Sequence, residues 1–176
     1  MTIDRQTLTR FDASQGPRNI GPSDGRLVEL GSIGARMMAW TEETGGGFSL
    51  VEHPMPAKHL AVGLHKHSRE DEYSYVVKGR MGAIHGDDVV YAEAGDFVFK
   101  PREQWHTFWN AGNTPCEIIE IISPGGFEDF FRELTAAWGN PEQMAALGVK
   151  YELDFDFDSV PKLCERFGLT MSKIAN

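Results

Sequence analysis

Between Arg26 and Ser123 the chain is a succession of short runs rich in Val, Ile, Phe and Tyr, each cut off by Gly, Asp, Asn or Pro at fairly regular spacing. RLVEL, ARMMAW, FSLVEH, HLAVGL, EYSYVV, MGAIH, VVYAEA, DFVFK, HTFWN and CEIIEII each have the length of a strand. No helical period interrupts them. Strands joined by turn signals alone predict an all-β antiparallel sandwich or barrel.

The flanks read differently. Residues 1–25 are polar and punctuated by Gly16, Pro17, Gly21, Pro22 and Gly25, the texture of an arm. After Pro124 the period changes. Phe127, Phe130, Phe131, Leu134 and Trp138 recur at helical spacing and form one apolar stripe. Asn140-Pro141-Glu142 reads as a helix start, and Gly148 as its stop. Val160, Leu163, Cys164 and Phe167 share a face of a last helix. Glu152, Asp154, Asp156 and Asp158 alternate with Tyr151, Leu153, Phe155 and Phe157. That pattern predicts a half-buried strand with a solvated acidic face rather than a calcium site. The expected plan is an arm (1–25), a barrel (26–124) and a helical extension (125–176) packed on the barrel.

Charge narrows the partners. Lys and Arg total 17 against 26 Asp and Glu, a net charge of −9. A field of that sign repels phosphate backbones and anionic headgroups, so neither nucleic acid nor a membrane surface is expected as a partner. No run of eighteen apolar residues exists, and the opening MTIDRQTLTRFDAS lacks the apolar segment of a secretory signal. Cys116 and Cys164 lie far apart with no CxxC. Reduced thiols in a cytoplasmic protein are the expectation.

The chemistry concentrates in His65-Lys66-His67-Ser68-Arg69-Glu70-Asp71-Glu72. Side chains alternate along a strand, so His65 and His67 point the same way and form a chelating pair. Glu72 opens the next apolar run and can bring a carboxylate to the same point, and His106 offers a further imidazole. Three imidazoles and one carboxylate suit a divalent first-row transition metal. Counting back in twos from His65 puts Gly63, Ala61 and His59 on the ligand face, with His59 a candidate pocket residue. Val76 and Phe108 share faces with Glu72 and His106 and would keep the pocket dry. His53 and His85 read as surface residues. Arg69-Glu70-Asp71 reads as a solvated loop in which Arg69 helps to deliver Glu72. Gly45-Gly46-Gly47 has no following Lys-Ser/Thr and reads as a turn, not a phosphate loop.

The segment HxHx₄Ex₆G from His65 to Gly79 resembles the first motif of the cupin superfamily. Gly95, Pro101, His106 and Asn110 resemble the second. Two family glycines are replaced, by His59 and Glu103. The second replacement predicts a turn before His106 that avoids positive φ. TGGGFSLVE, REDEYSYVVKG and SPGGFEDFFREL further resemble the quercetin dioxygenase-like single-domain cupins. The resemblance implies a double-stranded β-helix, a jelly-roll barrel holding one divalent metal (Fe, Mn, Ni, Co, Cu or Zn) on His65, His67, Glu72 and His106. It also implies a homodimer, and a dioxygenase that uses O₂ on a small hydroxylated aromatic or enol substrate, with Glu72 as catalytic base. The alternative is a non-catalytic cupin that binds or senses a small molecule on the same ligands. A sugar isomerase is weaker, since no basic cluster for a sugar phosphate lies near the motifs.

Overall fold

The structure, a computed structural model, describes residues 19–24 and 27–174. Most of the expected arm, residues 1–18 and 25, lies outside the described residues. Ten strands are laid down before the first α-helix: β1 (Leu27–Glu29), β2 (Gly34–Ala39), β3 (Ser49–Met55), β4 (Leu64–His67), β5 (Asp71–Lys78), β6 (Arg80–His85), β7 (Asp88–Glu93), β8 (Phe97–Lys100), β9 (His106–Asn110) and β10 (Cys116–Ser123). Helices α1 (Glu128–Ala137) and α2 (Pro141–Lys150), strand β11 (Leu153–Asp156) and helix α3 (Ser159–Phe167) follow.

Two antiparallel sheets build the barrel, in the orders β1-β2-β3-β10-β5-β8 and β11-β4-β9-β6-β7. This is the expected double-stranded β-helix. Alternation packs its interior: Val51, Met55, Val76, Ile118 and Ile122 from the first sheet are fully buried, as are Met81 and Ala83 from the second. β8 reverses the usual polarity, with Phe97 and Phe99 outside and Lys100 inside.

The HLAVGL run is not one strand, contrary to its pattern: only its last residue, Leu64, belongs to β4, and residues 59–63 make only isolated bridges, His59 with Thr170 and Leu60 with Trp109. Its backbone finds partners elsewhere: Leu64 N–H donates to Ser159 Oγ at 2.8 Å, at the start of α3. Gly63 lies so close to α3 that a Cβ there would come within 2.9 Å of the Val160 side chain.

The C-terminal elements close the barrel. Phe127, Phe130 and Phe131 are buried in one cluster with Val51, Ile122 and Leu153, while Leu134 packs at its margin. The Asn140 side chain accepts from the N–H groups of Glu142 and Gln143, as the start signal predicts. Gly148 does not stop α2, which runs on to Lys150. A Cβ at Gly148 would stand 3.0 Å from the Leu153 carbonyl, so its role is close approach of the returning chain. β11 is the half-buried acidic strand expected here, and it pairs with β4. Cys116 is buried, Cys164 is half-buried, and both are free.

Candidate metal centre and its cavity

His65 on β4 and His106 on β9 are directly paired across the strands. His67 follows on the same face of β4, and Glu72 reaches the same point from β5 in the other sheet. All four side chains are buried, and one ligand atom from each lies within 4.8 Å of the others. The backbone sets the tautomers. His65 Nδ1–H donates to the Gly63 carbonyl at 3.0 Å, and His106 Nδ1–H to the Gln104 carbonyl at 2.9 Å. Each ring is thereby left with its Nε2 lone pair for the cluster. His106 Nε2 lies 3.1 Å from Glu72 Oε2, and His67 Nε2 lies 3.3 Å from Oε1.

The electrostatics favour a cation at the centre. Burial, with the neighbouring His106 and His67 charges, pushes His65 well below its usual range. Burial also opposes a charged His67, but the Glu72 and Glu70 carboxylates outweigh it and lift that ring to about 9. Burial would raise Glu72, yet Lys100 and His67 hold it well below the usual carboxylate range. Neither ring nitrogen of His67 has a well-aligned hydrogen-bond partner although both are buried. A metal ion among three imidazoles and a carboxylate satisfies that chemistry, and the cluster is compatible with a single ion.

Support comes from residues that the sequence pattern left outside the site. Glu70 is 1% exposed, so it is not part of a solvated loop. Its Oε2 lies 3.4 Å from His67 Nδ1, and Arg69 Nε donates to its Oε1 at 2.9 Å. Arg69 therefore holds Glu70, and Glu70 faces the far side of the His67 ring. Asp71 is taken by Arg102 through both backbone and guanidinium. The turn before His106 also departs from expectation: Glu103 adopts positive φ (+63°). Its N–H donates to the His67 carbonyl at 2.8 Å, which ties the turn to the ligand strand.

Beneath Glu72 lies a buried ionic network. Lys100 Nζ is 2.8 Å from Glu72 Oε2 and 2.7 Å from Glu120 Oε1, and Ser74 Oγ donates to Glu120. Burial, only partly opposed by Lys100, pushes Glu120 up to about 7. The signal for this network was one of parity. Glu120 shares the face of Ile118 and Ile122, and Lys100 shares that of Val98.

The cluster opens on a cavity of about 420 Å³. Its walls include Phe108, Phe127, Phe130, Phe131, Leu153 and Phe155. Phe127 packs edge-on against His67 at 4.6 Å. Phe108 thus lines the pocket, as its parity suggests. Val76 is buried in the layer behind Phe108 and does not line the cavity. His59 does not line it either. With no strand to carry the alternation back from His65, its ring turns to the Ala57 carbonyl and Ser172 Oγ. His53 is 3% exposed and lines the cavity, contrary to its reading as a surface residue. His85 is half-buried, and burial pushes it down to about 4.

The fold and site together define a double-stranded β-helix with a buried cluster fit for one metal ion. Residues 53–122 match the cupin domain family. An oxalate-binding protein of Thermotoga maritima is 41% identical over 64 residues, covering 35% of this chain and 51% of that protein. The tetracenomycin polyketide synthase protein TcmJ of Streptomyces glaucescens is 27% identical over 89 residues, 51% of this chain and 60% of that one. The chain thus spans between half and two thirds of the length of these curated relatives. Among solved structures, a predicted oxalate decarboxylase of Thermotoga maritima superposes with a TM-score of 0.57 at 21% identity, covering 61% of this chain and 99% of its own. KdgF of a Halomonas species superposes with a TM-score of 0.55 at 16% identity, covering 64% and 98%. The domain match and the shared fold support the cupin superfamily. Among the described residues no helix is long and apolar enough to cross a membrane.

Proposed function

We propose that this chain is a metal-dependent dioxygenase-type cupin acting with O₂ on a small hydroxylated aromatic or enol substrate, similar to the quercetin dioxygenase-like group. The observation that carries the reading is the junction of the His65, His67, Glu72 and His106 cluster with an aromatic-walled cavity of about 420 Å³. A divalent metal held there would supply Lewis acidity and a template for the substrate oxygen. Glu72 is kept ionised by Lys100, the form that can accept the substrate's hydroxyl proton. The phenylalanine walls hold a flat ring and exclude water.

A second reading, a non-catalytic cupin that binds a small molecule on the same ligands, is favoured by the oxalate-binding relative. The walls argue against oxalate itself here. A small dianion gains little from phenylalanine, and the Lys100 charge is already shared by Glu72 and Glu120. The test is metal analysis of protein purified without added metal, followed by oxygen uptake with flavonols, catechols and enols after loading each metal. Uptake with an aromatic or enol substrate supports the enzyme. Tight binding of the same compounds with no uptake for any metal supports the binding protein.

A further inference from the structure

His53 is the one buried histidine of the cavity wall that lies outside the metal cluster. Its Nδ1–H donates to the Gly34 carbonyl at 2.8 Å, which fixes the tautomer and leaves Nε2 as a bare acceptor. Nε2 has no partner among the described residues, while the ring lines the cavity. Phe131 holds the ring edge-on at 5.5 Å, and Phe108 flanks it at 6.0 Å. Burial, reinforced by the Lys100 charge, holds the ring down at about 4, so Nε2 stays an acceptor at neutral pH. Nε2 is not sealed off but opens to the cavity, so a ligand that displaces water there must replace the hydrogen bond that the water gave.

The register fixes the offset of its backbone row from that of Glu72. His53 pairs with Ile118, and Ile118 with Val76, whereas Glu72 pairs with Ile122. His53 therefore lies four residues from the Glu72 row, about 13 Å along the strands. It faces the same cavity from β3, a strand that carries none of the clustered residues.

We propose that His53 Nε2 is a specificity-determining contact, accepting a hydrogen bond from a hydroxyl or N–H at the end of the ligand remote from its metal-binding oxygen. The inference rests on the reading of this cavity as the ligand site. It narrows the ligand class to aromatic or enol compounds that carry a second donor group. A ligand without one leaves Nε2 unpaired and binds less well.

The test uses zinc-loaded protein, because zinc is redox-inert and binding is then read without turnover. The probes are 3-hydroxyflavone derivatives bearing a 7- or 4′-hydroxyl, each compared with its methyl ether, which cannot donate. One hydroxylated probe should bind the wild type about five- to tenfold more tightly than its ether, the range of a single hydrogen bond. His53→Leu should abolish that preference. His53→Gln, whose amide can donate to Gly34 and still present an oxygen, should keep part of it. In histidine-¹⁵N-labelled wild type, the His53 Nε2 resonance should move with the hydroxylated probe and stay in place with the ether, a readout that needs no variant to fold. Equal affinity for probe and ether, an unmoved resonance, or no binding of any hydroxylated probe overturns the proposal. Oxygen uptake by iron- or manganese-loaded protein separates the two ideas. Uptake without hydroxyl preference sinks the His53 role alone, and preference without uptake sinks the dioxygenase reading alone.

Discussion

Lys100 and Glu72 occupy directly paired positions on β8 and β5, and the ammonium lies 2.8 Å from Oε2 of the carboxylate. Burial opposes the lysine's charge, but Glu120 and Glu72 outweigh it and raise its affinity for the proton. The carboxylate offered to a metal thus already has a protein cation behind it. That cation holds Glu72 in one orientation and shields it from Glu120.

Lys100→Met should leave two buried carboxylates facing each other without a counter-charge. The expected loss of stability in metal-free protein is about 3–5 kcal/mol. Added metal should recover part of it by supplying charge at Glu72. Urea unfolding with and without metal measures both effects. Wild-type stability in the metal-free variant would show that the buried ammonium is dispensable.

Glu72→Gln keeps an oxygen but cannot accept a proton. Turnover per bound metal should fall about 10²–10⁴-fold, more than metal content falls. His106→Ala removes an imidazole and should lose metal and activity together. Glu70→Gln, which loop composition alone would make a neutral control, should weaken metal binding about tenfold through His67 and leave turnover per metal unchanged. Wild-type turnover per metal in Glu72→Gln would exclude the base role.

His53 gives stability a dependence on pH with a definite sign. Its unfolded value is 6.5 and its folded value about 4, with Lys100, Glu72 and Glu52 as the charged groups acting on it. Between these values the unfolded chain binds the proton and the folded one does not. The contribution is therefore complete above pH 6.5 and is lost as pH falls toward 4, by about 3 kcal/mol in all. Unfolding curves at pH 7 and pH 5 should converge less steeply for His53→Leu than for wild type. Equal pH slopes in the two proteins would refute the assignment.

Phe130 is buried against Phe127, Tyr151 and Phe155. Phe130→Ala should cost about 3–5 kcal/mol and leave the metal content of the folded protein unchanged. Stability equal to wild type would remove the helical stripe from the core.

The homodimer expectation leads to a mass measurement. Tyr75, Val77, Phe97 and Phe99 are exposed on the outer face of β5 and β8, and β8 ends its sheet. An end strand can pair with its own copy about a two-fold axis, which covers both edges. Sedimentation at micromolar concentration should give twice 19.6 kDa, and Phe99→Glu should shift the mass toward the monomer. A wild-type mass of 19.6 kDa would argue against pairing.

The four clustered residues can be read from the chain because three of them sit close together in HxHx₄E, where strand alternation alone brings His65 and His67 to one face. Lys100 and Glu120 could not be read that way. They meet because β8 and β10 flank β5, and no local pattern encodes strand order. His53 carried half a signal: it is in phase with Val51 and Met55, but nothing nearby in sequence shows what it faces. HLAVGL has strand composition, yet Ser159 and Thr170 take its hydrogen bonds from a distance. Glu103 shows tertiary geometry overriding local preference. The turn into β9 requires a left-handed residue there, and an exposed glutamate accepts it.

The pairing of β11 with β4 also bears on how the protein is made. The strand that carries His65 and His67 has a bare edge until Leu153–Asp156 arrives to cover it. A ribosome that has released only the first ten strands has made all four clustered residues, but the strand of His65 and His67 is still open on one side. A metal held at that cluster would therefore need the last part of the chain as well, the helices and the strand that doubles back to β4. A version of the protein trimmed to its barrel would keep all four clustered side chains and lose the strand that holds two of them in register.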